Sequence, residues 1–295
     1  MTMQVQKSFQ NEGESGSLYI VPTPIGNLED ITYRALKILR EADVIAAEDT
    51  RNTKRLLNHF EINIPLISYH EHNKLGREEQ LLERLREGQL VAVVSDAGMP
   101  AISDPGHELV HAAIKENIPA IVLPGANAAI AALVGSGIDP REFAFYGFLP
   151  RKKKDRAEEL ERLKNITSTL LFYESPHRLK ETLQALYEGL GDRPAAIARE
   201  LTKKFEEYVR GTLAELVQWS LENEPRGEFC LVIEGNANPE QPDEENWWED
   251  LSITEHVEAF MEQQGISSKD AIKEVSRERN VPKRDVYQAY HVDQE

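Results

Sequence analysis

Leu90-Val91-Ala92-Val93-Val94 runs directly into Ser95-Asp96-Ala97-Gly98-Met99-Pro100-Ala101-Ile102-Ser103-Asp104-Pro105-Gly106. Five apolar residues without alternation predict a strand covered on both faces, as in a parallel sheet flanked by helices. The twelve residues that follow hold two Asp, two Gly and two Pro. A connection this long and stiff inside a compact domain is ordinarily functional. It also leaves the C-terminal end of a strand, where open α/β sheets bind ligands. Asp104 before Pro105 fits a helix N-cap with proline at the first helical position. No such cap explains Asp96, whose carboxylate can accept from a hydroxyl or pair with a cation.

The same texture extends outward from this strand. Leu18–Val21, Asp43–Ala47 and Pro119–Leu123 are short apolar runs separated by helical patterns such as Ala35, Leu36, Ile38 and Leu39. Alternating β and α predicts crossover units and a mainly parallel sheet over residues 17–149, closed by Phe143–Phe148. After that the runs are Leu170–Tyr173, Ala195–Ala198, Glu207–Val209 and Phe229–Ile233. The gap between the second and third is too short for a crossover helix, which predicts antiparallel pairing and a second, mixed α/β domain over 150–235. Pro239, Pro242 and a run of acids mark 236–250 as an acidic linker.

Residues 251–295 predict a small helical domain. Ser252 to Glu255 fits a capping box, Val257, Phe260 and Met261 form a stripe, and Gly265 is a stop. Ser268 is read as the next cap, with Ala271, Ile272 and Val275 inward. A turn at Asn280-Val281-Pro282 precedes Val286, Tyr287 and Tyr290. The pattern is helix-turn-helix-like.

The chain has 295 residues and a formal charge of −17. The length suggests roughly two domains of about 150 residues. Residues 1–16 read as a disordered polar leader without a signal-peptide core, and no apolar run approaches the ~20 residues of a membrane span. The single Cys230 argues against a disulfide framework or a Cys-rich zinc site. A soluble cytoplasmic protein is expected. The charge argues against nucleic acid in bulk, since phosphate binding rests on Lys and Arg. Yet residues 236–295 hold fifteen acids against six bases, more than half of the net charge. From Ser267 onward acids and bases balance.

Two further loops leave strand ends. Pro22-Thr23-Pro24-Ile25-Gly26-Asn27 has too few free N–H groups to cradle phosphate, and its stiffness suits packing against a flat ligand. Pro124-Gly125-Ala126-Asn127-Ala128-Ala129 places small side chains at a helix start, where a ligand meets backbone N–H groups. Taken alone, the first of these loops is explained about as well by a plain strand-to-helix turn, and the second by close helix-to-sheet packing. Charged groups cluster at other strand ends: Glu48, Asp49 and Arg51; Glu174, His177 and Arg178; Arg199, Glu200 and Lys203. His70-Glu71-His72 lacks a third ligand at metal spacing, so no metal is expected. The Arg151–Arg156 run puts Lys152, Lys153 and Lys154 at a helix start, where the macrodipole disfavours cations and an RNA contact gains weight. Trp247 and Trp248, flanked by acids, are read as anchors of the tail helices.

The three loops together resemble the tetrapyrrole methylase family over residues 17–235. The first loop departs from the Gly-rich form of most members. That departure, with Ala46–Arg51, Phe172–Arg178, Arg199–Glu207 and the helical tail, is similar to a branch that methylates small-subunit ribosomal RNA. The resemblance implies two α/β domains with S-adenosylmethionine in the cleft, and a homodimer. It implies 2′-O-methylation of a cytidine in the decoding region of 16S rRNA within the small ribosomal subunit. Carried over, the cofactor contacts fall at Pro24, Ile25, Asp96, Ala97, Met99, Asn127, Ala128, Glu174 and Gly211. A ribose hydroxyl needs a base, for which Glu48 or Glu174 is expected. Arg51, Arg178 or Lys203 would hold phosphate, and Lys152, Lys153, Lys154, Arg178 and Arg199 would contact RNA. Two other readings compete: a methylase of a small tetrapyrrole-like substrate, and a ligand-sensing helix-turn-helix regulator. The tail has no task in the first, and its neutral balance weakens the second.

Overall fold

The computed structural model describes residues 3–8, 16–71, 73–239, 248 and 251–291. The chain divides into two compact units, Met1–Ala237 and Asn238–Glu295. The expected leader and acidic linker lie largely outside the described residues.

The first unit opens with β1 (Ser17–Ile20), α1 (Tyr33–Glu41), β2 (Val44–Ala47), α2 (Thr50–His59), β3 (Leu66–Ser68), α3 (Lys74–Arg86), β4 (Leu90–Val94), α4 (His107–Lys115), β5 (Ala120–Val122) and α5 (Ala128–Ser136). The five strands form one sheet in the order β3-β2-β4-β1-β5, with every pairing parallel. Successive residues of a strand face opposite sides, and both sides here are apolar. Leu18, Ile20, Val44, Ala46, Val91 and Val93 pack on Leu81 and Leu85 of α3 and Leu109 and Ala113 of α4. Ile45, Ala47, Ala92 and Val94 pack on Ala35, Ile38 and Leu39 of α1 and Leu57 of α2. This double burial is why the strands read as continuous apolar runs. At the β5 edge the Gln6 side-chain amide donates to Ala120 O and accepts from Ala120 N, both at 3.0 Å, occupying backbone groups that an unpaired edge leaves open.

The chain continues with β6 (Phe143–Phe148), α6 (Lys153–Leu163), β7 (Thr169–Glu174), α7 (Leu179–Leu190), β8 (Pro194–Arg199), β9 (Glu207–Thr212), α8 (Leu213–Glu222) and β10 (Phe229–Ile233). The second sheet runs β6-β7-β10-β8-β9. It is mixed: β6 and β7 are parallel and the other pairs antiparallel, including β8 with β9 as the short gap required. One face carries α6, α7 and α8 over Phe172, Ile197 and Leu231.

Two features differ from the sequence reading. Phe143–Phe148 does not close the first sheet; as β6 it pairs with β7, joined through α6 as a βαβ unit of the second sheet. Its partner is chosen by packing, which no local pattern encodes. Likewise α5, which follows β5, covers the second sheet: Ala129, Ala132 and Leu133 lie on Leu171, Ala196, Ala198, Cys230 and Val232.

In the second unit α9 (Ile253–Gln264), α10 (Ser268–Glu278) and α11 (Lys283–His291) enclose Val257, Phe260, Ala271, Ile272, Val275 and Val286. Ser252 and Glu255 form the expected capping box, with Gly265 left-handed at the C-cap. The α10 cap is Ser267 rather than Ser268; its hydroxyl accepts from Asp270 N. Trp248 stacks on the buried His256 at 5.3 Å, with the Arg279 guanidinium 4.7 Å over the indole. The same guanidinium donates to His256 Nδ1 at 3.0 Å. Burial, then the Arg279 charge, pulls the His256 pKa down to about 4, so the imidazole is neutral near pH 7. Trp248 is therefore an anchor of this unit, as read, while Trp247 lies outside the described residues.

Phe172 fills the second sheet's helical face at 1% exposure. Phe172→Ala is expected to destabilise the fold by about 3–5 kcal/mol, read as a lower urea midpoint with unchanged slope. A change under about 1 kcal/mol would contradict this packing account.

Candidate active site

Two backbone hydrogen bonds organise the strand-end loops. Thr23 N donates to Gly98 O at 2.9 Å and Gly98 N to Thr23 O at 3.0 Å, an isolated antiparallel bridge between the first and second loops. The Thr23 hydroxyl adds a bond to Ser95 O at 3.1 Å. A side chain at Gly98 (φ +78°) would meet Ile25 Cγ2 at 3.2 Å, and one at Gly125 would fall 2.6 Å from Pro22. Glycine at these positions lets all three loops close up.

The 95–106 loop is strained as well as long. Ala101 (φ 67°) and Ser103 (φ 61°) are both left-handed without being glycine, at a cost of about 1–3 kcal/mol each; such strain gathers at ligand clamps. Asp104 does not cap α4. That helix begins at His107 behind Gly106, without a side-chain cap. Asp104 bonds Ser95 instead, and burial followed by the charges of Glu48 and Asp96 lifts its pKa to about 6. The loop's own closure, with Ala101 N on Pro105 O at 3.3 Å, overrides the local capping rule.

The loops border two cavities. One, about 470 Å³, is polar; its lining includes Pro24, Gly26, Asn52, Arg55, Ser95, Asp96, Lys203 and Glu228. The other, about 360 Å³, lies between the sheets and includes Met99, Asp104, Asn127, Ala128, Phe148, Tyr173, Glu174, Phe229 and Cys230. Ile25, Ala97 and Glu228 line both, so the two are neighbours. The second has apolar and aromatic walls with a few polar groups, the usual make-up of a small-molecule pocket. A β-bulge between Phe145 and Gly147 presents Phe148 to it, 5.8 Å from the Tyr173 ring.

Of the expected cofactor contacts, all but Gly211 line one cavity or the other. Gly211, on β9, pairs with Ala195 of β8, and Glu215 fills the space beside it. Asn127 also caps α5, its Oδ1 accepting from Ile130 N at 3.0 Å. Asp96 is held by two donors, Asp49 N at 3.1 Å and Asn52 Nδ2 at 2.8 Å. Glu48 accepts from the Asp96 backbone N–H, and its pKa is raised by burial and then by the Asp96 charge.

The charged residues divide differently from the expectation. Glu174 is 3% exposed. Its carboxylate accepts from Ser175 N (2.7 Å) and Thr182 Oγ1 (2.6 Å), with Arg178 at 3.7 Å, so it pins the start of α7. Arg178 donates to Leu149 O at 2.8 Å and Pro150 O at 3.3 Å, and Arg199 to Arg226 O and Glu207. These two guanidiniums brace corners of the second sheet and line neither cavity. Arg51 is exposed and paired with Asp49 at 2.6 Å, away from both cavities. Lys203 does reach the polar cavity. Lys152, Lys153 and Lys154 are exposed at the start of α6, with Lys154 3.7 Å from Glu158. His72 lies outside the described residues; among those described, no group of three His, Cys, Asp or Glu is placed to hold a metal. Sequence reasoning missed Asn52, Arg55 and Glu228. The first two share a face of α2, three residues apart just after a strand end, which was a usable signal.

The model of the Tetrapyrrole (Corrin/Porphyrin) Methylases matches residues 17–217. With more than half of its length matched, the chain belongs to this family. Within it the chain is similar to a protein named ribosomal RNA small subunit methyltransferase I from Halalkalibacterium halodurans, at 56% identity over 98% of this chain and 99% of the relative. It is similar to the protein of the same name from Bacillus subtilis at 55%, with the same coverage. The fold is shared with the uroporphyrin-III C-methyl transferase of Thermus thermophilus, solved with S-adenyl homocysteine. That likeness has a TM-score of 0.53 and 20% identity, over 74% of this chain and 97% of that one.

The Asp104 carboxyl sets a pH dependence whose sign follows from its raised pKa. The folded state holds this proton more tightly than the unfolded state, so the stabilisation is full below the ordinary value of 3.8 and lost as pH rises through about 6. The Tm difference between wild type and Asp104→Asn is therefore expected to fall between about pH 4 and 6 and level off above. A difference independent of pH would remove Asp104 from the acidic cluster.

Proposed function

We propose that this protein methylates the 2′-hydroxyl of a cytidine in the decoding region of 16S rRNA within the small ribosomal subunit, using S-adenosylmethionine. It acts as a cytoplasmic homodimer and needs no metal. The observation that carries this reading is the extent of the likeness. The rRNA methyltransferases match 98% of the chain, C-terminal unit included. The porphyrin methyltransferase leaves about a quarter of the chain without a counterpart while being covered almost entirely itself. A small-substrate methylase has no use for the additional helical unit. A DNA-reading regulator would need surplus positive charge there, and residues 267–295 carry six acids and six bases.

The apolar cavity suits S-adenosylmethionine. Ile25, Met99, Ala128, Tyr173 and Phe229 offer flat contact for an adenine ring. Asp96 and Asp104 border the cavities on their acidic side, complementary to a sulfonium. When bound, the cofactor supplies an electrophilic methyl group; the chain's residues have to orient the acceptor and take its proton. The polar cavity alongside suits a ribose. Glu174 is engaged by its own donors. Glu48 lines neither cavity, but it accepts from the backbone N–H of Asp96, which lines the polar one, and it is the remaining carboxylate expected as the base. Burial and the neighbouring Asp96 charge raise the Glu48 pKa above its ordinary value, the direction that strengthens a proton acceptor. The exposed Lys152, Lys153 and Lys154 supply local positive charge on an otherwise acidic molecule.

Incubation with methyl-labelled cofactor and small subunits, naked rRNA, tRNA or a porphyrinogen is expected to label the subunit RNA, at one cytidine ribose on mapping. Label on the porphyrinogen alone would overturn the reading. Glu48→Gln should lower kcat by about 100-fold or more. Asp96→Asn should move the acid limb of the pH–rate profile to lower pH, since it removes a charge that raises the Glu48 pKa. Full activity of Glu48→Gln would exclude it as the base. Charge reversal of Lys152, Lys153 and Lys154 to Glu is expected to raise KM steeply at constant cofactor affinity; unchanged KM would mean that RNA enters elsewhere.

A further inference from the structure

The polar cavity has two cations in its wall, Arg55 from α2 and Lys203 from the loop after β8, and neither end of the arrangement is symmetrical. Arg55 is exposed. Lys203 is held between two carboxylates, Glu200 Oε1 at 2.9 Å and Glu228 Oε2 at 2.8 Å. The two differ in kind. The Glu200 side chain is 18% exposed and also accepts from Glu228 N at 3.0 Å, so it is built into the loop. The Glu228 side chain is 79% exposed, touches Lys203 through one oxygen, and lines both cavities.

The stem that carries the ammonium is confined. The Lys203 stem lies where a Cβ on Gly26 would fall, 2.4 Å from its Cγ, and Thr202 Oγ1 accepts from Asn27 N at 3.0 Å. Glu200 (φ 49°) and Thr202 (φ 66°) hold left-handed conformations that press this loop against the first one. A fixed cation with one fixed and one loose counter-ion is an exchange site. An exposed ion pair is worth only about 0.2–1 kcal/mol, so another anion can displace Glu228. A phosphodiester brings three advantages: a full charge, oxygens that can meet Lys203 and Arg55 together, and counter-ions that it releases on binding.

We propose that the polar cavity receives a phosphodiester of the RNA backbone, gripped by Arg55 and Lys203, and that Glu228 is the exchangeable stand-in for it. With no RNA present Glu228 neutralises Lys203 and repels stray anions. With RNA present the carboxylate swings away and the phosphate takes its place, next to the cavity assigned to the cofactor. Glu228 is then a specificity residue, since only an anion positioned to meet both cations repays its displacement. The inference rests on the RNA reading above but concerns binding alone.

The test uses the full-length protein and a fluorescent single-stranded oligoribonucleotide of decoding-region sequence, with anisotropy as readout and transfer to small subunits measured separately. Glu228→Gln is expected to bind the oligonucleotide about two- to fivefold tighter, the loss of one exposed ion pair converted to affinity. That gain should vanish in a Lys203→Met background, because the cycle isolates the pair. Arg55→Ala should weaken binding and reduce the slope of log Kd against log salt by about 0.7. No gain in Glu228→Gln, or a gain that survives Lys203→Met and so reflects bulk charge, would overturn the exchange. An unchanged salt slope in Arg55→Ala would overturn the two-cation grip. If wild type transfers no methyl to small subunits yet the binding results hold, the activity reading fails and the phosphate site stands; transfer without these binding changes gives the reverse.

Discussion

The paired hydrogen bonds between Thr23 and Gly98 are the contact on which the site depends. They tie a loop that leaves β1 to one that leaves the adjacent β4. Everything near them is placed as a consequence. Ile25 is pressed against Gly98 and with Ala97 separates the two cavities. Asp96, two residues earlier, faces Asn52 and the backbone of Asp49 at the end of the next strand. Neighbouring strands of a parallel sheet deliver their loops to one edge. The bridge converts that general property into a fixed geometry, and the left-handed Ala101 and Ser103 are tolerated because both ends of their loop are held.

Electrostatics divides the site as clearly as shape does. Glu48, Asp96 and Asp104 form an acidic side, with two of the three pushed upward by burial and mutual repulsion. Lys203 and Arg55 place positive charge in the wall of the polar cavity, which Asp96 and Glu228 also line. In the proposed reading a cationic methyl donor and an anionic acceptor have opposite needs, which the acidic and basic groups would meet separately. This is how a chain of −17 net charge can present a local surface fit for RNA: attraction is confined to a few groups and the remainder repels non-specific contact.

Much of the fold was legible because burial on both faces leaves an unmistakable mark, as in Leu90–Val94. β3 was not, since Leu66–Ser68 is three half-buried residues with no apolar run. The sheet membership of β6 was invisible for another reason: partner choice is a tertiary property. At the site, small and rigid loop residues such as Ala97, Met99 and Ala128 were readable because backbone approach requires them. The cations were not. Arg178, Arg199 and Lys203 look alike in sequence, yet two are spent on carbonyls and carboxylates of the second sheet and one reaches a cavity. Glu228 carried no signal, for its importance comes from the lysine that another segment brings beside it.

The placement of α5 has a mechanical consequence. By chain order it belongs with the parallel sheet, but its apolar face is glued to the mixed one through Ala129, Ala132 and Leu133. The segment linking it to β5 is only a few residues long and is pinned where Gly125 meets Pro22. The two sheets are therefore tied through a short, pinned link, and peeling α5 from the mixed sheet would expose that apolar face to water. Any opening between the sheets that keeps α5 on the mixed one has to be absorbed within residues 123–127, the short link that Pro22 and Gly125 pin.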